Sequence, residues 1–75
     1  MTQLLDTFNR AYSWLYEYDG VPQGYDACVE WFDENHSEPR VEKHITSLVE
    51  ERGDFIASDR EAAAFTIAAK SLKLV

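Results

Sequence analysis

Cys28, His36 and His44 are the residues whose types could form a nucleophile–base pair or a metal cluster, and they stand eight residues apart each way. Structural zinc sites pair their ligands about two to five residues apart, so this spacing points away from zinc. Cys28 falls on an apolar helical face, where an inert core thiol is the expectation. His44 falls towards the buried edge of its helix. No catalytic residue, metal or cofactor is assigned, and the chain is read as a non-enzyme.

Asp26, Glu30, Asp33 and Glu34 recur at i, i+4, i+7 and i+8, which lines them along one helical face. Carboxylates so placed could hold a divalent cation, but a calcium loop needs a fixed ligand order around a central glycine that is absent here. Acid–base catalysis would need a pocket that raises one carboxyl pKa, and these acids lie on polar faces. Either the stripe is a solvated face or it attracts a basic partner. The glycines of Asp19–Gly24, DGVPQG, match neither a GxGxxG nor a GK[ST] phosphate loop.

Two further groups could recognise a partner. Trp14, Tyr16 and Tyr18 widen the apolar arc of the first helix to about 200° at ~100° per residue, beyond what one packed neighbour uses. Two helices flank this one, or its rim awaits a partner. Arg40, Lys43 and Ser47 form the outer stripe of the third helix, the one able to touch phosphates. Together with the preceding short helix and turn, that stripe resembles a helix-turn-helix arrangement in outline. The resemblance implies a DNA-binding regulator, and a C-terminal hairpin would make the whole a small winged helix.

The elements that position these groups are legible. Thr2 is the expected N-cap of a helix over 2–18, with Leu4, Leu5, Phe8, Ala11, Tyr12 and Leu15 as its core stripe. The turn chemistry of DGVPQG breaks the chain. A second helix follows over 26–35, with Ala27, Cys28, Val29, Trp31 and Phe32 on its apolar side. Ser37 is the expected cap of a third helix over 38–52, with Glu38 and Pro39 in its first turn. Val41, His44, Ile45, Leu48, Val49 and Arg52 form its buried face, and Gly53 supplies a left-handed stop. Ser58-Asp59-Arg60-Glu61 is a capping box that starts a fourth helix over 59–72. Ala62, Phe65, Ala68, Ala69 and Leu72 line one face of that helix. The competing reading pairs 55–58 with 63–67 as a β-hairpin, but its turn lacks glycine. Its alternation is also poor.

Seventy-five residues with 45% hydrophobic and 13% aromatic content form one domain, 1–75, too small for a deep enzyme cleft. No apolar run approaches the ~20 residues of a membrane span. The N-terminus lacks the basic and apolar regions of a secretory signal, and one cysteine makes no internal disulfide; a cytoplasmic setting follows as the expectation. The net charge of −7 resides in residues 1–38, with eight acids against Arg10, while 39–75 balance six acids with six bases. That field repels phosphate backbones and attracts basic proteins, which argues against nucleic acid as the ligand.

The expected protein is an all-α, four-helix single domain, with the winged-helix form as the alternative. Its expected function is that of a small acidic adaptor or inhibitor, regulatory rather than catalytic. It docks on a basic, nucleic-acid-binding protein through Trp14, Tyr16, Tyr18, Asp26, Glu30, Asp33 and Glu34. A homodimer through the first helix is the rival use of the same aromatics.

Overall fold

Ala62-Ala63-Ala64-Phe65-Thr66-Ile67-Ala68-Ala69 has strong helix formers and no solvent-seeking face, and a helix apolar all round belongs inside a fold. In the computed structural model, which describes residues 2–20, 22–55 and 58–74, this segment is the central helix. We label the helices α1 (Thr2–Glu17), α2 (Tyr25–Asn35), α3 (Pro39–Arg52) and α4 (Asp59–Ser71). Every residue from Glu61 to Ala69 except the half-buried Ile67 is buried, and Ala63, Ala64, Phe65, Thr66, Ala68 and Ala69 are 0% exposed. Ser58 caps α4, its Oγ accepting from the Glu61 N–H at 3.3 Å, and Asp59 and Glu61 sit in the first turn where the helix dipole favours them.

Two of the other helices pack directly on α4. α1 and α2 approach α4 most closely, and α3 packs on α1 over a smaller stretch. Alanines permit the near approach, because the distance between packed helices is set by the side chains between them. α1 contributes Leu4, Phe8, Ala11 and Leu15 to the core, α2 contributes Phe32, and α3 contributes Val41 and Leu48. Phe55, from the α3–α4 connection, is half-buried among three of the core rings. Its centroid lies 6.1 Å from Phe8, 6.0 Å from Phe32 and 6.4 Å from Phe65. Thr66 is the buried polar exception. Its Oγ1 lies 3.0 Å from Ala62 O and 3.1 Å from Cys28 O, so one hydroxyl proton satisfies its own helix while stitching α4 to α2. The radius of gyration, 11.3 Å, matches the ~11 Å of a compact chain this long.

Three sequence expectations need correction. The segment 59–71 is helix, and the described residues contain no strand, so the hairpin and winged-helix alternative does not hold; residues 56 and 57 lie outside the described set. The alanines decide this, since strands favour β-branched residues and a helix enclosed by helices needs small ones. The cap of α3 is Glu38 rather than Ser37, with no side-chain capping bond, because Pro39 already occupies the first turn. The buried surface of α4 is also wider than the one face expected, since Ala63 and Ala64 are enclosed as well. The expected left-handed stop is present: Gly53 has φ 96° and its N–H donates to Val49 O at 2.7 Å. The cap expected from Thr2 lies outside the described side chains.

Enclosure of α4 sets its tolerance to volume. Ala68→Leu should lower stability by about 1–3 kcal/mol through overpacking. Ala27→Leu, on the exposed side of α2, should stay within about 0.5 kcal/mol. Urea midpoints of the two variants check both outcomes.

Candidate partner-docking surface

α1 buries the residues at i, i+4, i+7 and i+11 from Leu4, and half-buries Leu5 and Tyr12 beside them. That orientation leaves Trp14, Tyr16 and Tyr18 outside although α1 has two packed neighbours, α4 and α3. Trp14 is 49% exposed, Tyr16 68% and Tyr18 47%, and these are the exposed large apolar side chains among the described residues. They lie near the C-terminal end of α1, Trp14 and Tyr18 on one side and Tyr16 about 160° round the helix from both. The Trp14 and Tyr18 rings meet with centroids 5.3 Å apart at 59°, an i,i+4 pair in a tilted geometry that pre-orders both. Tyr16 lies under the Arg60 guanidinium, 4.9 Å from its ring centroid.

α2 lays a narrow stripe on α4. Phe32 is buried, Cys28, Val29 and Trp31 are half-buried, and Ala27, expected on the apolar side, is exposed. The opposite side carries Asp26, Glu30, Asp33 and Glu34, all exposed, and the ion pairs among the described residues involve none of them. Tyr16 and the first residue of α2 share Arg60 as a neighbour. Arg60 covers Tyr16, and its charge, with those of Asp59 and Asp26, also reaches Tyr25 at the first residue of α2. Tyr25 holds its proton more tightly than a free phenol, chiefly because its partial burial strips water from the charged form. Asp59 and Asp26 add to that shift and Arg60 opposes it.

The remaining candidates occupy structural positions. Cys28 is half-buried, and its carbonyl accepts from Thr66. His36 stacks on Phe32 with centroids 5.7 Å apart, and its Nδ1 lies 3.0 Å from Asp33 O, so it covers the end of α2. His44 lines a cavity against α1. No group of three metal-ligating side chains occurs among the described residues. Of the outer stripe of α3, Arg40 and Lys43 are exposed, but Ser47 turns into the His44 cavity and donates to Lys43 O at 3.3 Å. The inward turn follows from register, since Ser47 adjoins the wholly buried Leu48. α2 and α3 are also not among the closely packed helix pairs, unlike the two helices of a helix-turn-helix reader.

Two features escape a sequence reading. One is the pair formed by Arg52 and the buried Glu61, Nη1 to Oε2 3.0 Å, with the guanidinium 5.1 Å from the Phe8 centroid. The other is Glu51, which has no partner from the same helix. Spacing placed Arg52 on the buried side, but nothing in the sequence named its partner. No described helix is long and apolar enough to cross a membrane. Compared with known proteins, the chain matches no family model, and no curated protein or solved structure matches it significantly.

The Tyr25 shift makes a prediction with a definite sign. A phenol that binds its proton more tightly in the folded state gives its full contribution to stability below the unfolded pKa of 10.0, and that contribution is lost as pH rises through the folded value. Thermal midpoints should therefore fall more steeply above about pH 10 in the wild type than in Tyr25→Phe.

Proposed function

We propose that the chain is a small acidic protein-interaction module, an adaptor or inhibitor without catalytic action, that docks on a basic and nucleic-acid-binding partner. The observation that carries this reading is the exposed, mutually packed pair of Trp14 and Tyr18 at the end of α1, with Tyr16 exposed on the other side of the same helix. Aromatic residues dominate the centres of protein interfaces, and contiguous exposed apolar patches on small proteins tend to serve recognition. The pre-packed Trp14–Tyr18 pair loses little side-chain freedom on binding.

Charge supplies the partner's chemistry. The carboxylates of Asp26, Glu30, Asp33 and Glu34, which make no ion pair among the described residues, set up a negative field along α2, and such a field accelerates encounter with a positive surface while repelling nucleic acid. A groove that binds phosphates is the natural complement. The aromatics would then supply the short-range contacts and slow dissociation, while the acids raise the association rate.

Immobilised wild type, Trp14→Ala/Tyr18→Ala and Glu30→Lys/Asp33→Lys/Glu34→Lys, exposed to native extract and eluted with rising salt, test the reading. The wild type should retain a basic protein. The aromatic variant should weaken its binding by about 30-fold or more, as expected for hot-spot truncation. The charge variant should slow association at low salt by about tenfold, a difference that shrinks as salt screens the field. Identical retention by all three baits would contradict the proposal. A wild-type dimer that Trp14→Ala converts to monomer in sedimentation would reassign the patch to self-association.

A further inference from the structure

Asp19 and Gly20 lie between α1 and α2, outside both helices, and both are exposed. An aspartyl carboxyl can be attacked by the peptide nitrogen that follows it, because the ring that results has five members. Folded chains normally prevent this in two ways. A regular backbone keeps the nitrogen turned away or hydrogen-bonded, and the side chain of the next residue crowds its approach. Neither protection operates at Gly20. The bond that its N–H makes among the described residues is a single i→i−2 contact with Tyr18 O at 3.0 Å, on an exposed turn. It carries no Cβ, and the space where one would stand has no neighbour within 4 Å.

The comparable side chains elsewhere are held off. Asp6, Asp26, Asp33 and Asp59 lie within helices, where ψ turns the following nitrogen away from the carboxyl carbon. Each is also followed by a residue with a side chain. Asp54 stands outside α3 and α4, but the residue after it is Phe55, packed among three core rings. Asn9 lies inside α1. Asn35 ends α2, and the nitrogen that follows it is bonded, His36 N–H donating to Phe32 O at 2.8 Å.

We infer that Asp19–Gly20 is a modification site, at which the chain rearranges spontaneously from aspartyl to isoaspartyl linkage. The Gly20 nitrogen bonds to Cγ of the protonated Asp19 carboxyl, and the carboxyl hydroxyl leaves with the amide proton as water. The product is a cyclic imide. Water then adds at one of its two carbonyls. Opening at Cγ restores aspartate, whereas opening at the main-chain carbon leaves the chain running through Cβ and Cγ. One water leaves and one returns, so no oxidant or co-reactant is needed. One carboxylate replaces another, so the charge is unchanged, but the turn gains a backbone atom directly after Tyr18. Tyr18 belongs to the proposed docking pair, and ageing at this turn therefore reaches the edge of that surface. The chemistry itself stands apart from that reading.

The full chain, incubated warm at mildly acidic pH beside a blocked peptide of residues 18–23, tests the inference. Isoaspartate is counted by methyl transfer from labelled S-adenosylmethionine with an isoaspartate O-methyltransferase, and fragmentation mass spectrometry locates it. The label should fall on residue 19, with a transient species lighter by one water. The folded chain should convert within about tenfold of the peptide's rate, since one exposed hydrogen bond is all that must open. Asp19→Glu should lose the label while keeping the wild-type thermal midpoint, because a glutamyl carboxyl must close a slower six-membered ring. This variant is preferred to a change at Gly20, whose φ of 142° strains any other residue. Conversion of the peptide with the folded chain labelled no more than Asp19→Glu would overturn the inference. So would a label that falls mainly on another aspartate.

Discussion

The enclosure of α4 is the constraint on which the rest of the molecule depends. A helix buried on every side must carry side chains that leave room for its neighbours, and Ala62, Ala63, Ala64, Ala68 and Ala69 do so. α1 and α2 can then approach it closely, and Phe65 fills the one sector where larger groups converge, edge-on to Phe32 with centroids 5.6 Å apart. A chain of this length has little core to draw on, and a central helix gives α1 and α2 a shared surface to bury against. Thr66 adds direction to that packing. Its shared hydroxyl proton ties α4 to one carbonyl of α2, whereas apolar contact alone would permit sliding.

α3 is attached differently. It approaches the other helices less closely, with Val41 and Leu48 buried and Arg52 reaching across to Glu61. A salt bridge this buried gives little net stability over an apolar pair, since both ions surrender hydration, but loss of one partner is costly. Its effect is to fix position. Arg52 touches α1 through Phe8 and α4 through Glu61, so the end of α3 has one seat. The weaker contact of Arg52 with Asp54, 3.8 Å and largely exposed, adds little.

Much of the architecture could be read from residue spacing. Capping signals at Ser58, Pro39 and Gly53, with the periodicity of α1 and α3, place four helices within a residue or two of their observed ends. Periodicity could not show that α4 is enclosed, because the stripe of Ala62, Phe65, Ala68, Ala69 and Leu72 accounts for one face only and leaves Ala63, Ala64 and Thr66 unassigned. Phe55 looked like part of a connection, yet it joins three core rings, a contact that depends on how the helices meet. The exposure of Trp14, Tyr16 and Tyr18 was legible as an apolar arc too wide for one neighbour. Glu51 was not legible at all. The burial of its carboxylate oxygens depends on how the helices meet and has no local signal. The acidic stripe of α2 needed only the helix period, since nothing packs on that side.

Amide hydrogen exchange under native conditions tests the central claim most directly. If α4 is the enclosed spine, the N–H groups of residues 62–69 should exchange most slowly, with opening energies equal to that of global unfolding, and those of α3 should open earlier in a separate step. Slowest exchange in α1 or α3, with α4 opening before them, would contradict the account.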